Sequence, residues 1–145
     1  MSNPIQPPLR GQCLCGGVKY QVDAIEPRMA HCHCSMCRKF HGAAFATFGE
    51  AKSASFHWLE GEDLLKSYRA ENGTVRRFCA NCGSSLTFAP PKDTGEYVEF
   101  TLGTLVDDPK LTPDAHIFVG SKAGWDHICD QLPQYEAGRG SQQLD

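Results

Sequence analysis

The sequence predicts a mainly β chain with few short helices. Two observations carry this: short alternating runs bounded by Gly, Pro, Asn or Asp are frequent, and apolar residues rarely recur at helical spacing over three turns. A third, the grouping of cysteines into tight clusters, predicts cross-links made by metal.

Taken in order, residues 18–22 alternate apolar and polar, as a strand half buried on one face does. Further strands are expected at 43–48, 54–58, 64–68, 75–78, 85–88, 97–105 and 116–119. A single helical turn is expected after Ser35, whose side chain can cap it, and another near 104–109. No fixed-period repeat is visible. At 145 residues the chain has the length of one domain, expected to span 1–145 with its core at about 11–135 and with frayed ends: a proline-rich start and a polar stretch from Ala137.

The net charge of −3 provides no excess of cations for a phosphate backbone or an anionic bilayer, so neither nucleic acid nor membrane is an expected partner. The first ten residues hold three prolines and no continuous apolar run, unlike a signal peptide or a membrane span, and the chain is expected to be cytoplasmic. In a reducing compartment, eight cysteines point to metal or thiol chemistry rather than to disulfides.

Seven of them form three clusters: Cys13 and Cys15; Cys32, Cys34 and Cys37; Cys79 and Cys82. In a strand, residues two apart share a face, so a C-x-C pair can aim both sulfurs at one point. The C-x-x-C-Gly form turns tightly instead, and Gly83 permits the positive φ of such a turn. Two pairs far apart in sequence can supply the four thiolates of tetrahedral zinc, which makes Cys13, Cys15, Cys79 and Cys82 a closed structural set. Cys32, Cys34 and Cys37 are one ligand short, and a three-ligand zinc keeps a position for water or substrate, where an incoming thiol would lose its proton. Two zinc ions per chain are therefore expected. An iron–sulfur cluster, buried free thiols, a different pairing, one four-cysteine site with a spare redox dithiol, or a redox enzyme using Cys34 and Cys37 are the alternatives that spacing leaves open.

At these residues the sequence resembles the glutathione-dependent formaldehyde-activating enzyme family, which also includes the centromere protein V group. The resemblance rests on G-x-C-x-C-G-G-V at 11–18, HCHCSMCRKFHGAAFATF at 31–48, RRFCANCGSSL at 76–86 and HIFVGSKAGW at 116–125. It implies a β-tent of small antiparallel sheets stapled by zinc, a structural zinc at the first and third clusters, and a catalytic zinc at the middle one. It further implies a carbon–sulfur lyase that condenses glutathione with formaldehyde. A zinc-stabilised binding or thiol-sensing module without turnover is the competing reading.

Arg38 and Lys39 follow the middle cluster directly and are candidate anchors for a carboxylate of a glutathione-like thiol, set against a plain solvated pair. His31 and His33 bracket Cys32; either could ligate or shuttle a proton, while a hydrogen-bonded ring beside the metal is the simpler role, and His33 should point away from the cysteines. His41, His57, His116 and His127 have no ligand spacing and receive no role. Cys129 reads as a small buried hydrophobe, and Trp125, in the turn 121–125, as packed into the core.

Overall fold

The computed structural model describes residues 8–144. In chain order they form β1 (Leu9–Gln12), β2 (Lys19–Val22), β3 (Ala30–Cys32), α1 (Ser35–His41), β4 (Ala46–Lys52), β5 (Phe56–Glu60) and β6 (Leu65–Arg69). There follow β7 (Val75–Cys79), β8 (Ser85–Ala89), β9 (Tyr97–Thr101), β10 (Ala115–Ile117), β11 (Gln134–Tyr135) and β12 (Gln143–Leu144). The mainly β expectation holds. Every strand expected from alternation is present, shifted by a few residues; the very short β3, β11 and β12 lie below what periodicity can register. Past Thr101 the expected strand 97–105 tightens into a 3₁₀ turn, Leu102–Thr104. Among the described residues no helix is long and apolar enough to cross a membrane.

The chain divides into two compact units. The first contains the described residues up to Pro27 together with Gly49–Leu111. Here β1, β2 and β5 form one antiparallel sheet, with Gly11 opposite Tyr20 and Tyr20 opposite Trp58. The final residues of β4 continue into the order β9, β8, β7, β6, in which the last three pairings are antiparallel. Tyr20, Phe100, Val18, Val22 and Leu86 are fully buried between these elements. Tyr20 stacks on Phe56 at 5.1 Å, and Trp58 meets Phe56 edge-on at 4.9 Å. The Tyr20 hydroxyl keeps a partner in this core, Thr104 Oγ1 at 2.6 Å, as a buried phenol requires. Gly61 has φ of +78° and lies so close to Gly17 that a Cβ would sit 1.9 Å from its carbonyl oxygen, so only glycine fits.

The second unit joins Arg28–Phe48 with residues 112–144, in the strand order β12, β11, β10, β3, β4. β3 pairs antiparallel with the start of β4, whereas β10 runs parallel to both β3 and β11. These are exceptions to the antiparallel expectation. Parallel neighbours need a long connection, and here each pair is separated by one. The polar end, expected to fray, does not: β12 pairs antiparallel with β11, and Arg139 forks onto Asp114 with Nη2 at 2.7 Å from Oδ1. Residues 1–7 of the proline-rich start lie outside the described residues, while Leu9 and Arg10 already belong to β1.

The helix after residue 34 is capped by Cys34 rather than by Ser35. Cys34 keeps extended backbone angles and its sulfur accepts the Cys37 N–H at 3.2 Å, while Ser35 is already helical and exposed. A sulfur that serves as both N-cap and cluster member leaves the serine hydroxyl nothing to cap.

Candidate metal centre

The four sulfurs of Cys13, Cys15, Cys79 and Cys82 all lie within 4.8 Å of one another, in the first unit. Cys13 and Cys15 do not share a strand face, as their spacing suggested. They sit in the turn that follows β1, where Gly16 N–H donates to Cys13 O at 3.0 Å and Cys13 N–H to Val18 O at 3.1 Å. The second turn mirrors it: Gly83 N–H reaches Cys79 O at 2.8 Å, with Gly83 at φ of +81°. Ser84 links the two turns by accepting Leu14 N–H at 2.9 Å and contacting Cys82 Sγ at 3.2 Å.

A tetrahedron with Zn–S bonds of about 2.3 Å has S···S edges of about 3.8 Å. Cys13 and Cys15 sulfurs are 3.6 Å apart, and Cys15 and Cys79 sulfurs 3.8 Å. The donor set therefore fits zinc in both chemistry and spacing. The cage also favours thiolate: the Ser84 hydroxyl pulls the Cys82 thiol down to about 5, and the Asn81 side chain lowers Cys15. Burial pushes Cys79 up to about 11, a penalty that a bound dication removes.

Cys32, Cys34 and Cys37 form the other cluster, again with sulfurs within 4.8 Å of one another, in the second unit. Cys32 ends β3, Cys34 caps α1 and Cys37 lies in its first turn, so a strand end and a helix start converge on one point. The Cys34 and Cys37 thiols, and then burial, drive Cys32 far upward. Three crowded thiols resist ionising together, and a dication is the charge that lets them do so. Among the described residues no His, Asp or Glu atom joins this group.

His33 is directed elsewhere, as its alternation with the cysteines required: it is fully buried, and its Nε2 lies 2.8 Å from His116 Nδ1. Burial, and then His116, depress His33 to about 4. His31 Nδ1 meets Thr47 Oγ1 at 2.8 Å, and its ring lies 4.8 Å from that of His116. His116, assigned no role from spacing, is buried and bonds through Nε2 to Asp130 Oδ2 at 2.9 Å. Its partners lie 83 and 14 positions away, and no sequence period signals such a contact.

Arg38 is half-buried in α1, its Nε enclosed without a hydrogen-bond partner among the described residues, whereas Lys39 is exposed. Two expectations fail in the 121–130 segment. Trp125 is 71% exposed, because the turn closed by Asp126 N–H on Ala123 O buries Ala123 and turns the indole outward. Cys129 is exposed as well, and its neighbour Asp130, half-exposed, reaches His116 from the surface.

The chain is thus mainly β with a four-thiol cage and a three-thiol cluster, each able to hold a metal ion. The chain belongs to the glutathione-dependent formaldehyde-activating enzyme family, whose profile matches residues 8–121. It is 34% identical over 83 residues to an uncharacterized lyase of Schizosaccharomyces pombe, covering 57% of this chain and only 58% of that protein's length. It is 28% identical over 126 residues to a Halomonas elongata protein provisionally named a glutathione-dependent formaldehyde-activating enzyme, covering 83% of this chain and 80% of that one. A Rhodobacter sphaeroides crystal structure shares the fold, with a TM-score of 0.58, 22% identity, and coverage of 70% of this chain and 92% of that one.

Proposed function

We propose that the chain is a zinc-dependent carbon–sulfur lyase of the formaldehyde-activating type, with Cys32, Cys34 and Cys37 as the ligands of its working metal. The observation that carries the reading is a three-thiol cluster in one unit and a complete four-thiol cage in the other. Membership of the family and the lyase naming of relatives support the reaction class. Cys32, Cys34 and Cys37 would hold a zinc ion that, when bound, would favour the thiolate form of an incoming thiol such as glutathione.

The remaining work falls to the protein. Half-buried Arg38, which directly follows the cluster, would hold a carboxylate of the thiol through its guanidinium, with exposed Lys39 as a second cation. Anchoring the thiol by its carboxylate limits the approach of the carbonyl to one end, so that much of the rate comes from orientation. In the forward direction the sulfur lone pair forms a C–S bond to the carbonyl carbon, the C=O π pair moves to oxygen, and the proton given up by the thiol ends on that oxygen. Release is the reverse.

Cys34→Ser tests the assignment. It should lower the zinc content by about one ion per chain and abolish glutathione binding by calorimetry, while the circular dichroism of the folded protein persists. Retention of all the zinc in that variant would defeat the three-cysteine site.

A further inference from the structure

His33 stands between Cys32 and Cys34 and is tied down from three directions. Its backbone N–H donates to Ile117 O at 2.9 Å, and its carbonyl accepts from Ser121 Oγ at 3.3 Å. Its ring is fully buried, packs on Phe45 at 5.0 Å between centroids, and meets His116 Nδ1 through Nε2. His116 in turn meets the Asp130 carboxylate.

The order of protons along this line follows from its outer end. His116 stabilises the Asp130 carboxylate and lowers it below the usual range, so at neutral pH Asp130 can only accept. His116 Nε2 therefore carries a proton and, in the neutral ring, Nδ1 is the acceptor. His33 Nε2 must then donate. His33 Nδ1, enclosed and without a partner among the described residues, is left as a bare lone pair rather than a stranded N–H. One carboxylate at the surface thus fixes the tautomer and facing of a ring deep in the unit.

In an extended segment alternate side chains point to opposite faces, so the side chosen by His33 sets the side on which the Cys32 and Cys34 sulfurs emerge. We infer that His116 and Asp130 are positioning residues for the three-thiol metal site, acting through His33 on the segment that bears Cys32 and Cys34. The inference rests on the zinc assignment proposed above. It differs from the usual arrangement, in which the outer partner orients a ligating histidine; here it orients the residue between two ligating cysteines.

Two substitutions at one position separate the hydrogen bond from the packing. His116→Asn keeps an acceptor near the place of Nδ1 but loses most of the ring, whereas His116→Leu keeps the bulk and offers no acceptor. Zinc affinity of the three-thiol site is read by competition with a chromophoric chelator, and its geometry from the visible bands of the Co²⁺-substituted protein. His116→Leu should weaken that site by roughly 10–100-fold and shift the Co²⁺ bands, with the four-thiol cage still loaded. His116→Asn should recover most of the affinity. If the leucine variant holds zinc as tightly as the asparagine variant, the ring serves only to fill space and the inference fails.

Asp130→Ala, at a half-exposed position, provides a milder variant should His116→Leu not fold. It should weaken the same site several-fold, and unchanged affinity there overturns the inference as well. A wild-type protein that binds one zinc in all, or a Cys34→Ser variant that keeps two, overturns the zinc assignment itself and is thereby distinguishable.

Discussion

Gly61→Ala should be far more damaging than its size suggests. Two costs combine. An L-residue at φ of +78° incurs about 1–2 kcal/mol. The new Cβ would also lie 1.9 Å from Gly17 O and 2.9 Å from Val18 Cα, both backbone atoms that cannot swing aside, and forced overpacking of this kind costs a further ~1–3 kcal/mol. Gly95 provides the control, since its φ is +79° and nothing lies within 4 Å of the added carbon. Gly95→Ala should thus show only the backbone term.

With a melting shift of about 2–4 °C per kcal/mol for a chain of this size, Gly61→Ala should melt roughly 2–12 °C below Gly95→Ala. The clash should also reach the metal. Val18 N–H donates to Cys13 Sγ at 3.2 Å, and Leu64, whose N–H bonds to Gly61 O, accepts the Ala80 N–H of the second cysteine turn at 2.8 Å. Zinc release to a chelator should accordingly be faster in Gly61→Ala. Scanning calorimetry and stopped-flow zinc release on both variants decide the matter. Melting within about 1 °C of each other, with equal release rates, would refute the claim that backbone contact at Gly61 braces the cage.

Two further outcomes are expected. Burial raises Tyr20 from its ordinary value of 10.0 to about 12, so the unfolded chain loses this proton first, and stability falls as pH rises from about 10 to 12, by up to about 3 kcal/mol. In Tyr20→Phe that alkaline loss should shrink, at a neutral-pH cost of about 1 kcal/mol for the Thr104 hydrogen bond; identical urea midpoints for the two proteins across this range would count against the account. Cys79→Ser, at a fully buried ligand position, should unfold the first unit, because a structural zinc contributes on the order of 10 kcal/mol, comparable to the whole stability of an ordinary domain. A cooperative melt near that of the wild type would show that the cage is dispensable.

The two groups of cysteine sulfurs were legible because their spacing is a local property: a tight turn or a helix start brings the side chains of residues two or three apart to one point. Strands such as β2 and β7 were legible for the same reason, through alternation. What escaped was set by distant partners. His116 has no neighbour in sequence that hints at His33, and the three-residue β3 is defined by its pairing with β4 and with the distant β10 rather than by its own pattern. Trp125 and Cys129 misled in the other direction. Their apolar character argued for burial, yet both are exposed, Trp125 in the short turn at 123–126 and Cys129 in the irregular segment beyond it. The N-cap was misassigned because serine is the commoner cap, while here the cysteine one place earlier takes the role.

The four-thiol cage joins a pair of cysteines near the start of the chain to a pair 64 residues later, counted from Cys15 to Cys79. During synthesis, at about 5–20 residues per second, the early pair is translated some 3–13 s before its partners exist. The three thiols of the other set are all translated by residue 37, ahead of Cys79 and Cys82. With zinc at both sites as proposed above, the newborn chain would capture its first metal at the three-thiol cluster and its second at the four-thiol cage. In the interval, Cys13 and Cys15 are bare thiols exposed to oxidants and competing soft metals.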